Sequence, residues 1–311
     1  MTTPSAETMR FTRVAYEGAQ VRTAAQLVSV PDLLGARPRS VVVLATDTIA
    51  QASARLLVAL REPLRVPVVI VHELPGYLGA LDTLVVVGSR PEDERAARAM
   101  SVATQRGATV IYAGPAEGPL RTEAPERAVL LDAPQAAPAL SPARTIAALS
   151  AVLDLTEDDP RLVASRMEHL ADTMDEEIAR VHPDRDESVN PARNLRSWVE
   201  GARVMHTGYG AVPLALAEVV ARSWSAYEIP GGVAEPQDVA GAVAQRDLFF
   251  DPLLDGEGEM LPLKVVVWAA EEAHFPGGLA QSAPAVAHGP VAEALCLIVR
   301  ALAATVPLGA A

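Results

Sequence analysis

A single cysteine, Cys296, in 311 residues leaves no pair for a disulfide framework. It lies in the apolar run VAEALCLIVRALAATV and reads as a small buried hydrophobe, in keeping with a reducing compartment. Lysine is almost as scarce: Lys264 is the only one, so the remaining 25 of the 26 basic residues are arginine. Aromatic residues make up only 4% of the chain, which leaves Ala, Val and Leu to build the core. No uncharged apolar run reaches the roughly 18 residues of a membrane helix, and MTTPSAETMRFTRVAYEG lacks the basic-then-apolar order of a signal peptide. The expectation is a cytoplasmic protein without a membrane partner. Positive charge is also short, and a formal net charge of −13 sets the chain against nucleic acid and anionic membranes. An anionic ligand has to be held by local donors.

What is present is a 50% hydrophobic, ordinarily charged composition with room for a large core. AAQLVSVPDLL reads as a short helical piece. Strands are expected at residues 41–44, in VPVVIV, at 84–87, in ATVIYA and in AVLLD, with helices between them and one near 92–106 that Gly107 ends. Another helix is expected over about 143–155. Alternating strands and helices joined by short loops predict an α/β fold with mainly parallel, doubly wound sheets. The segment from TEDDP to DRDES has helical spacing between acidic, proline-bearing ends and reads as a connector. After it, GARVMHTGYGAVPLALAEVVARSW repeats the strand, loop and helix of residues 39–60. LPLKVVVWAA supplies a later strand and PVAEALCLIVRALAATV a closing helix.

The loop GSRPEDE follows a strand and opens a helix, where backbone N–H groups favour an anion, yet it carries three carboxylates. Either Glu92, Asp93 and Glu94 cap their own helix, with Pro91 in its first turn, or Ser89 and Arg90 grip a phosphate. In LATDTIA, Thr46, Asp47 and Thr48 either cap the next helix or meet a sugar hydroxyl. In HTGYGAVP, Thr207, Gly208, Tyr209 and Gly210 let the backbone approach a ligand, which makes this the better binding loop. The same loop begins as GxG, with Glu228 20 residues beyond Gly208, but Pro213 replaces the third glycine of a dinucleotide fingerprint.

Two long stretches, RVPVVIVHELPGYLGALDTLVVVGSRPEDERAARAMSVATQRGATVIYAG and NPARNLRSWVEGARVMHTG, resemble the first and second domains of the bifunctional phosphoglucose/phosphomannose isomerases. These are tandem sugar-isomerase (SIS) proteins, and the chain looks closest to their TobH-like group. The resemblance implies two SIS-type α-β-α sandwiches, over residues 1–156 and 157–311, that pair as a homodimer. It also implies a small-molecule sugar phosphate as ligand, with no cofactor; the histidine spacings match no metal motif, so no metal is expected. The homodimer has a second motive, the closing helix, apolar on more than one face.

Aldose–ketose isomerisation of glucose or mannose 6-phosphate and fructose 6-phosphate needs a base, an acid and a cation near the enediolate. The family's Pro-Glu-x-x-His-Asn-Glu motif has no copy here, and its region, YEIPGGVAEPQDVAGAVAQRDLFFDPLLDG, offers Glu228 and Glu235. Glu228 is the candidate base, and His288 a candidate acid entering with His274 before the last helix; the resemblance to the family's proline-arginine element makes Arg144 in SPARTIAAL the candidate cation, against the reading of a surface arginine that opens a helix. His206 ends a strand beside the glycine loop, where it either contacts a ligand or is an imidazole satisfied within the fold. Three functions stay open: an isomerase with rearranged groups, a non-catalytic sugar-phosphate binder acting as regulator or assembly partner, and a nucleotide-binding protein.

Overall fold

The computed structural model describes residues 6–244, 261–284 and 288–306. Two helices, α1 (Ala6–Ala15) and α2 (Glu17–Thr23), precede the first strand, and AAQLVSVPDLL forms 3-10 turns at Ala24–Ser29 and Pro31–Leu33. The first half continues β1 (Ser40–Ala45), α3 (Thr48–Arg61), β2 (Val68–Val71), β3 (Asp82–Val87), α4 (Glu94–Gln105), β4 (Thr109–Ala113), α5 (Pro119–Thr122), β5 (Val129–Leu130) and α6 (Pro142–Leu155). The second runs α7 (Pro160–Arg180), α8 (Pro191–Val199), β6 (Arg203–Thr207), α9 (Ala211–Ala226), β7 (Gly231–Val233), α10 (Pro236–Ala244), β8 (Leu263–Trp268), β9 (Gly278–Gln281) and α11 (Pro290–Ala303).

Both sheets are parallel, ordered β2-β1-β3-β4-β5 and β7-β6-β8-β9. Counted from its own first strand, each therefore begins 2-1-3-4, and the repeat seen in the sequence is a repeat of topology. The strands of the first sheet are runs of Val, Leu and Ile because both faces are covered; β1 and β3 are buried along their whole length. Their register sets Val41 opposite Val68 on one side and Thr83 on the other.

One hydrophobic cluster runs through both halves, from Val41, Val43, Leu56 and Leu57 to Leu216, Trp224 and Leu297. The outer faces of the sheets carry separate clusters, built with Met100 and Tyr112 in the first half and with Val239 and Val265 in the second. α7, read from sequence as a connector, buries Val163, Met167, Leu170 and Met174 in the shared cluster. Its Glu177, wholly buried, pairs with Arg300 of α11 at 2.9 Å. α11 itself is buried continuously from Ala294 to Ala303 within this one chain. Its apolar faces are thus covered without a partner, and the composition of that helix no longer argues for a dimer. The Cys296 thiol lies in this packing, pushed up to about 12 by burial.

Candidate functional site

In a parallel sheet the loops leaving the carboxyl ends of the strands form the natural site. At that edge of the first sheet, Asp47 caps α3: its Oδ1 accepts from Ile49 N–H at 2.9 Å and Ala50 N–H at 2.8 Å. Its Oδ2 accepts from the Ser89 N–H at 2.6 Å and the Ser89 hydroxyl at 2.9 Å. Thr46 Oγ1 takes the Arg90 N–H at 3.2 Å, and Thr48 faces solvent. Gly88, at φ 126°, passes so close that a Cβ there would overlap the Thr46 hydroxyl and lie 2.8 Å from Asp47 Oδ2. Asp93 caps α4 in the same way, from Arg95 N–H and Ala96 N–H. Asp93 as cap and Glu94 in the first turn therefore serve the helix that they open. Ser89 and Arg90 give their backbone N–H groups to side chains of the neighbouring loop, and the Arg90 side chain is exposed.

Arg144 is drawn inside at the head of α6, 2% exposed. It donates to Gln20 Oε1 at 3.3 Å and to the Ala139 carbonyl, and its Nε has no partner. Burial lowers its pKa, while the charges of Glu17, Tyr112 and Asp47 act the other way. Glu17, also buried, accepts from the Ser141 hydroxyl at 3.0 Å and Ala143 N–H at 3.1 Å. The Tyr112 hydroxyl is buried and unpartnered, with the phenol pushed up to about 12 by burial. Sequence reasoning missed Glu17 and Tyr112. The available signal was the spacing of Glu17 with Gln20, Val21 and Ala24, all on the buried face.

Glu228 follows α9 at its C-terminal end, exposed and at φ 64°. The 16 residues of that helix put it about 24 Å from the glycine loop at its head. The two are not brought together.

At the edge of the second sheet, Thr207 is buried and donates to the Ala234 carbonyl at 2.8 Å, tying β6 to the end of β7. Gly210, at φ 100°, opens α9 with no side-chain cap. Pro213 has no N–H and Leu214 N–H returns to the Gly210 carbonyl, so the helix head presents the N–H groups of Ala211 and Val212. Gly208 lies under Pro213, where a Cβ would come within 2.7 Å of the proline carbonyl oxygen. Tyr209, 38% exposed, accepts the His274 N–H at 2.9 Å and stacks on Phe275 with ring planes 13° apart. His274 thus meets the glycine loop. His288 does not: it sits beside His169, ring centres 5.6 Å apart, at a groove of about 250 Å³ on α7.

His206 is wholly buried, with the Trp268 indole N–H donating to its Nδ1 at 3.1 Å and its Nε2 unpartnered. Burial holds its pKa down to about 3, so it is a neutral core residue. Among the described residues no group of three or more His, Cys, Asp or Glu is placed to hold a metal, and no helix is long and apolar enough to cross a membrane. Part of the region searched for the Glu/His motif, residues 245–256, lies outside the described residues.

No family model and no curated relative matches the sequence. Solved structures do match its fold. Tagatose-6-phosphate ketose/aldose isomerase from Escherichia coli aligns over 98% of this chain and 95% of its own, with a TM-score of 0.63 and 14% identity. The C-terminal domain of glucosamine-fructose-6-phosphate aminotransferase from Francisella tularensis aligns over 95% of this chain and 93% of its own, with a TM-score of 0.61 and 10% identity. The chain has the mainly parallel α/β fold of these sugar-phosphate proteins. At such identities the likeness is one of fold.

Proposed function

We propose that the protein binds a phosphorylated sugar at the edge of the second sheet, through residues 207–210. One observation carries this reading: the heads of α3 and α4 are filled by Asp47 and Asp93, whereas the head of α9 is uncapped beside an exposed Tyr209. Helix-head N–H groups suit a phosphate and an aromatic face suits a sugar ring. The fold shared with phosphosugar proteins supports the same ligand class. Aldose–ketose isomerisation of hexose 6-phosphates is the formal activity, on tandem SIS units divided near residue 156, of the phosphoglucose/phosphomannose isomerase type and its TobH-like branch.

A non-catalytic binder is the second reading, favoured by a specific placement. Glu228 and His288 both stand away from residues 207–210, so the expected base and acid do not converge there. Glu235, just past β7, and His274 are the groups at the correct edge. Glucose 6-phosphate should raise the melting temperature of the wild type by mass action and leave Gly210→Val unchanged. Conversion of fructose 6-phosphate in a coupled assay then separates enzyme from binder. Stabilisation by NAD but not by the sugar phosphate would overturn both readings. The homodimer is tested by light scattering at micromolar concentration, where a monomer would remove it.

A further inference from the structure

Of the six histidines, His72, His182 and His206 each have a ring nitrogen in a hydrogen bond within the protein, to Gln51, the Asp184 N–H and the Trp268 indole. Two others, His169 on α7 and His288 just ahead of α11, make no such bond among the described residues and lie beside each other instead. Their ring centres are 5.6 Å apart and their planes are inclined at 51°, so the rings are not stacked. Both are exposed, at the groove of about 250 Å³ that Leu162, Leu170 and Thr173 also line. Arg166 lines it too, but its charge is matched by Asp154 and Asp158.

An imidazole nitrogen binds zinc at about 2.0–2.1 Å, which puts each ring centre about 3.2 Å from the ion; the centres of two such rings then stand about 5.2 Å apart at a tetrahedral angle and about 5.5 Å apart at a trigonal one. The observed separation is that of two imidazoles sharing one ion. Inclined rings can aim their lone pairs at a common point, which stacked rings cannot. The formal net charge of −13 also draws a dication to this surface.

We infer that His169 and His288 form a binding site for a transition-metal dication of the zinc, nickel or copper kind, with water in its remaining positions, and that the bound ion ties the turn ahead of α11 to α7. Imidazole suits these ions, whereas magnesium and calcium take oxygen ligands. Two protein ligands, fewer than closed structural sites use, make the ion exchangeable. The two histidines come from elements far apart in the chain, which is why no spacing along it matches a metal motif. The inference does not rest on sugar-phosphate binding at residues 207–210.

Zinc chloride titrated into the full chain at neutral pH, read at the ring resonances of the six histidines, tests this. The His169 and His288 rings should shift together and saturate at one ion per chain, magnesium should move neither, and acidification should release the zinc as protons compete for the ring nitrogens. In His169→Gln, which keeps an exposed polar side chain on the helix, zinc binding at His288 should weaken at least ~10-fold, the least that losing even a ligand's hydrogen-bond partner costs. His288→Gln should do the same at His169. The inference is overturned if the two rings shift at different zinc concentrations, if either variant leaves the other ring's affinity unchanged, if magnesium moves both rings equally, or if neither wild-type ring moves at millimolar zinc.

Discussion

Glu17 sits where a charge is poorly tolerated. Burial pushes its carboxyl from 4.5 up to about 7, against the opposing effects of Ala143 N–H, the Ser141 hydroxyl and Arg144. The folded chain therefore keeps a proton that the unfolded chain releases. The resulting stability is fully present below pH 4.5 and is lost as pH rises through about 7. That loss is on the order of 3 kcal/mol. Glu17→Gln retains an acceptor for Ser141 and Ala143 but has no charge to bury. Its urea midpoint should match the wild type near pH 4.5 and exceed it at pH 8; coincident midpoints at pH 8 would show that the carboxylate is accommodated. His206 works in the other direction: burial holds it down to about 3, so its contribution is present above pH 6.5 and is lost as pH falls towards 3. The burial of Glu17 was not legible in the sequence, and for His206 the reading of an imidazole held within the fold left its partner unnamed. A glutamate opening a helix looks like a partner of the helix dipole, and the Trp268 indole on His206 comes from 62 residues away.

The helices were more legible than the contacts between them. Strands rich in Val, Leu and Ile between Gly and Pro signals appear where expected, and Asp47 and Asp93 cap the helices that follow their loops. α7 was read as a connector because its helical spacing lies between acidic, proline-bearing ends, yet Val163, Met167, Leu170 and Met174 recur along it every three or four residues and are buried. Its role in the core depends on what the other half places against it. Asp154, in the last turn of α6, makes this concrete: buried, it meets Arg61 of α3 and, at 2.5 Å, Arg166 of α7. Removing the charge leaves two arginines that are about one-third exposed and able to turn to water, so Asp154→Asn should cost about 1–3 kcal/mol, short of the penalty for stranding a fully buried ion. A loss under ~0.5 kcal/mol in denaturant melts would mean that three helices meet there without needing the ion pair.

At the scale of the whole molecule, one cluster of apolar side chains spans both sheets. The halves should unfold together. All three tryptophans, Trp198, Trp224 and Trp268, lie in the second half, so their fluorescence reports that half while far-ultraviolet circular dichroism reports both. The two signals should trace one transition in urea; a dichroism curve with two steps, only one of them seen by tryptophan, would divide the molecule into independent units. The sequence repeat foretold a recurring strand, loop and helix but not this shared interior, because periodicity marks which residues are buried and not against what. The clasp of Asp47 on Ser89 has a consequence in time. An amide hydrogen held by a carboxylate from another strand leaves for solvent only when the two loops part, so Ser89 N–H is bound to an opening of the sheet edge. Tyr209 and Gly210 occupy the corresponding turn of the repeat, exposed and ahead of an uncapped helix. The turn after the first strand of each sheet is thus tied to the loop after the third, through the Asp47 carboxylate in one copy and the Tyr209 hydroxyl in the other.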